Sequence, residues 1–179
     1  IHLVAMLFVF PLWRITLLAP QYPDGVTMYI WINKITGTDE FTLQNINILN
    51  HYIGMQPIQP DSFKELEIMP FALIFLILAG LVAAALNKKP VYWVWFSLLI
   101  VGGIVGLTDF YMWQQAFGNN LDPQAPIKVE GMSYSPPFIG VKTLLNIKAS
   151  SYPHLGGIFF GLALVAASFG LYLRLKSKT

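Results

Sequence analysis

Two residues with soft or nitrogen donor atoms lie one helical turn apart in the first third of the chain. His51 and Met55 are four positions apart, which places them on one side of any helix that continues through both. Imidazole binds copper in either oxidation state, and a thioether favours Cu(I). The pair therefore predicts a copper site. The same spacing is also typical of a histidine that hydrogen-bonds a helix end beside a packed methionine.

Two further residues could complete such a site. His154 opens the last apolar segment, and an imidazole at a helix N-terminus is expected to stay neutral and able to bind a metal. Met132 is a third soft donor, in a loop rich in proline. Each also fits a structural role, His154 as a polar residue at a membrane boundary and Met132 as a packing residue. The predicted metal ligands are His51, Met55, His154 and Met132.

Arg14 and Asp109 are the two ionisable residues inside long apolar runs. A lone charge in hydrocarbon costs about 2.5–3.5 kcal/mol on the insertion scale. Counted along two predicted spanning helices, both residues fall at a similar depth, which predicts a structural ion pair between them. A proton or quinol site is the functional alternative, and snorkelling of each charge to the interface is the other structural one.

Composition excludes several classes of chemistry. The chain has 179 residues and no cysteine, so disulfides, iron–sulfur clusters and attached c-type haem are excluded. The formal net charge is +2 without a basic stripe, which predicts no nucleic-acid partner. The sequence lacks paired carboxylates, a nucleophile motif and a phosphate-binding loop. We therefore expect a binding or accessory protein, with copper as the candidate cofactor, and not an enzyme.

Long apolar segments dominate the elements that must position these residues. The chain is 55% hydrophobic and 11% charged, whereas an average soluble domain is about 25% charged. A helix of about 20 apolar residues crosses a bilayer, and four segments approach or exceed that length. We predict an all-α membrane protein with four transmembrane helices, at residues 1–19, 70–87, 90–113 and 154–174. No cleavage site follows residues 1–19, so we interpret them as a span and not a signal peptide, in a chain whose start precedes Ile1.

The distribution of basic residues predicts the orientation. Two of them lie in the short turn between the second and third predicted spans, and three lie at the end of the last span or in the tail 175–179. In that order they are Lys88, Lys89, Arg174, Lys176 and Lys178, and no acidic residue accompanies them. By the positive-inside rule these segments are cytoplasmic. The predicted location is the bacterial inner membrane, with both termini in the cytoplasm and two long loops, 20–69 and 114–153, on the outer side.

Local patterns indicate a small mixed cap formed by the two loops. Residues 26–33 alternate with period two, as in a half-buried strand. Residues 42–53 carry apolar residues at helical spacing, and Gly54 is suited to end that helix in a left-handed conformation. Residues 122–129 contain two prolines and predict extended, polyproline-like chain in a second loop with little regular structure.

Three loop segments together carry a resemblance to a known family: residues 30–37, residues 49–55, and residues 125–128 through Tyr134-Ser135-Pro136-Pro137. The chain resembles four-span membrane proteins of poorly defined role encoded beside nitrous oxide reductase genes. That resemblance implies an accessory role in a copper-dependent periplasmic pathway. We expect a membrane accessory protein that binds or hands on copper for a copper-dependent respiratory enzyme of denitrification. The alternative is a structural or docking subunit of a larger membrane complex. In both cases the expected partners are the lipid bilayer and a periplasmic or membrane protein.

Overall fold

The computed structural model describes residues 1–127 and 133–176, apart from the side chain of Leu144. Groups of strands and groups of helices follow one another along the chain, and two short 3₁₀ turns, Met6–Phe8 and Pro60–Ser62, separate some of the elements. The elements in chain order are α1 (His2–Ala5), β1 (Trp13–Ala19), β2 (Tyr22–Ile30), β3 (Ile35–Gly37), α2 (Thr42–Ile53), α3 (Lys64–Leu86), α4 (Lys89–Asn119), β4 (Gly140–Leu144), β5 (Ile147–Pro153) and α5 (Leu155–Lys176).

Three helices among the described residues are long and apolar enough to cross a membrane: α3, α4 and α5. At most 17% of the residues in the apolar window of each helix are buried within the chain. Their side chains therefore face outward, as lipid-facing side chains do. The predicted membrane protein is confirmed at this level. The helices α3, α4 and α5 correspond to the predicted spans at 70–87, 90–113 and 154–174, with ends displaced by up to six residues.

The prediction of an all-α protein with four spanning helices is wrong, because five antiparallel strands form one sheet in the order β3-β2-β1-β5-β4. The strand β1 lies at the centre of that sheet, within the segment predicted as the first spanning helix, residues 1–19. Its residues pair with β2 on one side and with β5 on the other, as in Arg14 opposite both Tyr29 and Tyr152. The fold is therefore mixed α and β.

Local chemistry explains why residues 13–19 form a strand. Pro11 disfavours a continuous helix, and beyond it Trp13, Ile15 and Ala19 alternate with more exposed residues, so that one face of the strand is buried. The buried face gains a hydrogen bond as well, because the indole nitrogen of Trp13 donates to the hydroxyl of Ser151 at 2.8 Å. An apolar run long enough to cross a membrane can therefore also contain the period-two alternation of a strand.

The first ten residues enter the helix bundle as short turns. Val4 and Leu7 are buried in an apolar cluster with residues of all three long helices, including Leu73, Leu99 and Ala167. The carbonyl oxygens of Pro11 and Leu12 then accept hydrogen bonds from the backbone of Gly156 and His154. The membrane-proximal end of β1 is therefore fixed to the start of α5.

One face of the sheet is covered and the other is open. The helix α2 and the far end of α4 cover the first face, where Ile46 and Leu49 pack with Ile15, Met28 and Ile147. Aromatic residues of α4, Phe110, Trp113 and Phe117, pack against the same cluster. Because α4 has 31 residues, it is about 46 Å long and extends beyond a hydrocarbon core of about 30 Å. It joins the membrane bundle to the sheet.

The second predicted loop, residues 114–153, contains regular structure that the proline pattern does not indicate. The strands β4 and β5 form a hairpin in its second half, and β5 pairs with β1. The two long segments also meet, because the backbone nitrogen of Asp122 donates to the carbonyl of Gly54 at 2.8 Å.

Candidate functional site

The helix α2 separates the two residues of the predicted copper pair. It ends at Ile53, and Gly54 follows in the left-handed conformation with φ of 78°, as the sequence predicts. The backbone nitrogens of Gly54 and Met55 donate to the carbonyls of His51 and Asn50, which is a Schellman motif. His51 is exposed, whereas Met55 packs against Ile53, Tyr134 and Ala149. The turn therefore directs the imidazole and the thioether to different surroundings.

His154 lies at the membrane-proximal end of the sheet, on a different element from His51. Its ring meets the ring of Tyr29 edge-on at 5.3 Å, and its Nδ1 is buried without a hydrogen-bond partner among the described residues. Burial lowers the pKa of His154, and the nearby guanidinium of Arg14 lowers it further. The neutral imidazole expected from the sequence is thus favoured. Met132 lies outside the described residues.

The predicted ion pair is not formed within the described part of the chain. Arg14 is exposed on β1, whereas the charged group that acts on Asp109 is Glu65. Arg14 and Asp109 do not share a depth in two helices, because residue 14 belongs to a strand and not to a spanning helix. Within residues 1–127 and 133–176, no three or more histidine or acidic side chains lie close enough together to hold a metal.

One cavity in the outer part of the fold lies at the end of the sheet that is distant from α5. We call it the tip groove. Its volume is about 390 Å³, within the range of small-ligand sites. It is lined by residues of α2, of the two hairpin turns and of the segment after α4: Gln21, Tyr22, Ile48, Leu49, Tyr52, Ile53, Ile127, Leu145, Asn146 and Ile147.

Exposed apolar side chains surround the tip groove. Ile48, Tyr52, Ile127 and Leu145 are 44%, 48%, 43% and 39% exposed. Ile48 and Tyr52 are one turn apart on α2, so their side chains form one continuous edge. None of the ten lining residues is charged. Clusters of exposed apolar side chains outside the membrane are the kind of surface at which interaction sites occur.

Leu145 adopts a backbone conformation that L-residues rarely use. It is the first residue of the two-residue turn between β4 and β5, and its φ is +58°. Asparagine or glycine is the usual residue at such a position, because a left-handed conformation costs other residues about 1–2 kcal/mol. The chain thus keeps an exposed leucine where a polar residue would be more stable, which is typical of a functional position.

The far wall of the tip groove depends on a fold-back of the chain after α4. The backbone nitrogen of Ile127 donates to the carbonyl of Tyr52 at 3.0 Å, and Asp122 bonds to Gly54 as described above. A Cβ atom at Gly54 would lie 2.8 Å from the Cβ of Ala125. Glycine is therefore required at residue 54 both for the helix end and for the close approach of residues 122–125.

A second, smaller cavity of about 50 Å³ lies beneath α2, on the covered face of the sheet. Its lining is mostly aliphatic and includes Met55, Trp113 and Tyr134. The hydroxyl of Tyr134 and the indole nitrogen of Trp113 are buried without hydrogen-bond partners among the described residues. The volume suits a few water molecules, at about 10–15 Å³ each, and is too small for an aromatic ligand.

The sequence contains signals for the tip groove that are separate from the predicted metal ligands. Ile48 and Tyr52 are apolar residues on the outward side of a predicted amphipathic helix. The alternation of Ile147, Ala149 and Ser151 indicates a strand, and Leu145-Asn146 then falls in the turn before it.

Comparisons with family models, with curated proteins and with solved structures find no match to this chain.

Proposed function

We propose that this chain is a non-catalytic membrane subunit that docks a partner protein through the tip groove. The observation that carries the proposal is the cluster of exposed apolar side chains around an uncharged groove, outside the membrane-spanning part of the fold. Apolar and aromatic side chains that become buried on binding supply most of the binding energy of protein interfaces. An apolar or aromatic side chain of the partner is the expected occupant.

Distance from the bilayer favours a protein over lipid as the occupant. The strand β1 begins beside the start of α5 and has seven residues, so the tip lies about 20 Å beyond that level. Lipid contact explains the exposed side chains of the three long helices, but it does not reach the tip groove. A partner in the aqueous compartment does.

The basic residues support an outer location for the sheet. Lys88 and Lys89 join α3 to α4 at the end of the bundle distant from the sheet, and Arg174 and Lys176 end α5 at the same side. The positive-inside rule then assigns that side to the cytoplasm. The proposed location is a bacterial inner membrane, with the sheet in the periplasm. The resemblance noted from the loop segments makes a periplasmic component of the nitrous oxide reductase pathway the first partner to test.

A copper-handling role remains a prediction that this geometry does not favour over docking. His51 and Met55 have separate surroundings, and His154 lies at the opposite end of the sheet from the tip groove. A copper-transfer partner could still dock at the groove, because docking does not depend on which protein carries the metal.

Site-specific photo-cross-linking in native membranes tests the docking role. A benzophenone amino acid replaces Tyr52 in the groove or, as a matched control, exposed Thr143 on the open face of the sheet. We expect one protein to be cross-linked from residue 52 and not from residue 143. The substitution Ile127→Glu should remove that cross-link, because a carboxylate then faces an apolar anchor.

Two results would contradict docking at the tip groove. One is a cross-link of equal yield from residue 143, which would show random collision. The other is a cross-link from residue 52 that survives Ile127→Glu in a protein with unchanged thermal stability.

A further inference from the structure

A row of polar and aromatic residues crosses the open face of the sheet at its membrane-proximal end. Arg14 lies at the centre of the row, directly opposite Tyr29 on β2 and Tyr152 on β5. Residues paired directly across antiparallel strands point to the same face. The ring of His154 packs against Tyr29 at one end of this row.

The row lies at the depth of lipid headgroups. The helix α5 has 22 residues and is about 33 Å long, close to the thickness of a hydrocarbon core of about 30 Å. Its first residue, Leu155, therefore marks the edge of the hydrocarbon. Tyr152 precedes it by three residues, which is at most about 10 Å of extended chain. Headgroups and their interface occupy the next layer, about 5–8 Å on each side.

The chemistry of the row suits an anion. The Arg14 side chain is exposed and forms no hydrogen bond or ion pair within the described residues. Of the strand positions that pair across this face, none holds a carboxylate. A guanidinium offers two parallel N–H donors to a phosphate, and tyrosine hydroxyls can donate to its remaining oxygens.

We propose that Arg14, flanked by Tyr29 and Tyr152, binds the phosphate of an anionic phospholipid in the leaflet on the sheet side. The depth of the row favours a lipid over a free anion as the ligand. The acyl chains of a lipid keep its phosphate group at this level, so the local concentration of lipid phosphate there is high. Aromatic side chains at both flanks are the residue type that membrane interfaces enrich. The bound lipid would hold the sheet at a defined height above the membrane.

Lipid binding to the purified protein tests the proposal. The full chain in detergent micelles is titrated with phosphatidylglycerol, and bound lipid is counted by native mass spectrometry. The variant Arg14→Gln is compared with Lys148→Gln, which removes the same charge from the same face. Lys148 pairs with Leu18, so it lies about 14 Å further along the strands. We expect about fivefold weaker binding for Arg14→Gln and no change for Lys148→Gln.

Three further arms decide the outcome. Phosphatidylcholine should lose less affinity than phosphatidylglycerol on Arg14→Gln, because its choline ammonium offsets the charge of the same phosphate group. Inorganic phosphate at millimolar concentration should not displace the lipid. Equal losses for Arg14→Gln and Lys148→Gln would overturn the proposal in favour of general charge attraction, and displacement by inorganic phosphate would overturn it in favour of a free-anion site. Unchanged far-UV circular dichroism shows that both variants fold.

Discussion

Replacing Gly54 by alanine tests the close approach that builds one wall of the tip groove. The left-handed φ of 78° costs alanine about 1–2 kcal/mol. The new Cβ would also lie 2.8 Å from the Cβ of Ala125 and 3.0 Å from the carbonyl oxygen of Asp122. Overpacking of this kind costs about 1–3 kcal/mol, so we expect a total destabilisation of about 2–5 kcal/mol.

Gly25 provides the matched control, because its φ of 81° is nearly the same. A Cβ there meets the ends of two flexible side chains, Leu18 and Thr16, each at 3.2 Å. We therefore expect Gly25→Ala to cost about 1–2 kcal/mol, which is the conformational part alone.

Thermal unfolding in detergent, followed by tryptophan fluorescence, measures both variants. For a chain of this size about 1 kcal/mol lowers Tm by about 2–4 °C, so the loss for Gly54→Ala should clearly exceed the loss for Gly25→Ala. Cross-linking from residue 52 should fall in Gly54→Ala and persist in Gly25→Ala. Equal losses of Tm would refute the packing argument and leave only the conformational cost.

Four other outcomes are expected. Tyr134→Phe should leave Tm unchanged or raise it, because the deleted hydroxyl is buried without a partner; a lower Tm would show that the hydroxyl is satisfied. Leu145→Asn should raise the free energy of unfolding by about 1 kcal/mol and weaken the cross-link from the tip groove. A more stable variant with an unchanged cross-link would show that Leu145 has no part in docking. The lowered pKa of His154 means that the unfolded chain takes up its proton first, so stability should decline as pH falls through about 6.5. His154→Gln should flatten this decline. Parallel pH profiles of stability for the wild type and the variant would show that His154 does not cause it. For a docking subunit, His51→Ala and Met55→Leu should leave the copper content of the purified protein unchanged, whereas a fall in both would restore the copper hypothesis.

Features that depend on near neighbours in the chain could be predicted from the sequence. The helix Thr42–Ile53 and its end at Gly54 follow from apolar spacing and from the conformational freedom of glycine. The three spanning helices follow from length and composition alone.

The sheet could not be predicted in the same way, because distant residues decide it. Residues 13–19 satisfy both an apolar-run rule and an alternation rule, and pairing with β5 favours the strand. The tip groove combines residues from four separate segments of the chain. The sequence indicates each segment but does not show that the four lie together in the fold. The predicted ion pair between Arg14 and Asp109 requires both residues to lie in spanning helices. Residue 14 belongs to β1, so that requirement is not met.

The pairing of β1 with β5 has a consequence for biogenesis. Trp13 and Ser151, which bond to each other, are 138 positions apart, and two membrane helices lie between them. During synthesis the hairpin of β1 and β2 emerges first and waits with one edge unpaired until β5 arrives. That arrival requires α3 and α4 to have crossed the bilayer and returned the chain to the same side. Closure of the sheet therefore depends on both crossings, because a chain in which only one of the two helices crossed would leave β5 on the opposite side and β1 with an open, aggregation-prone edge.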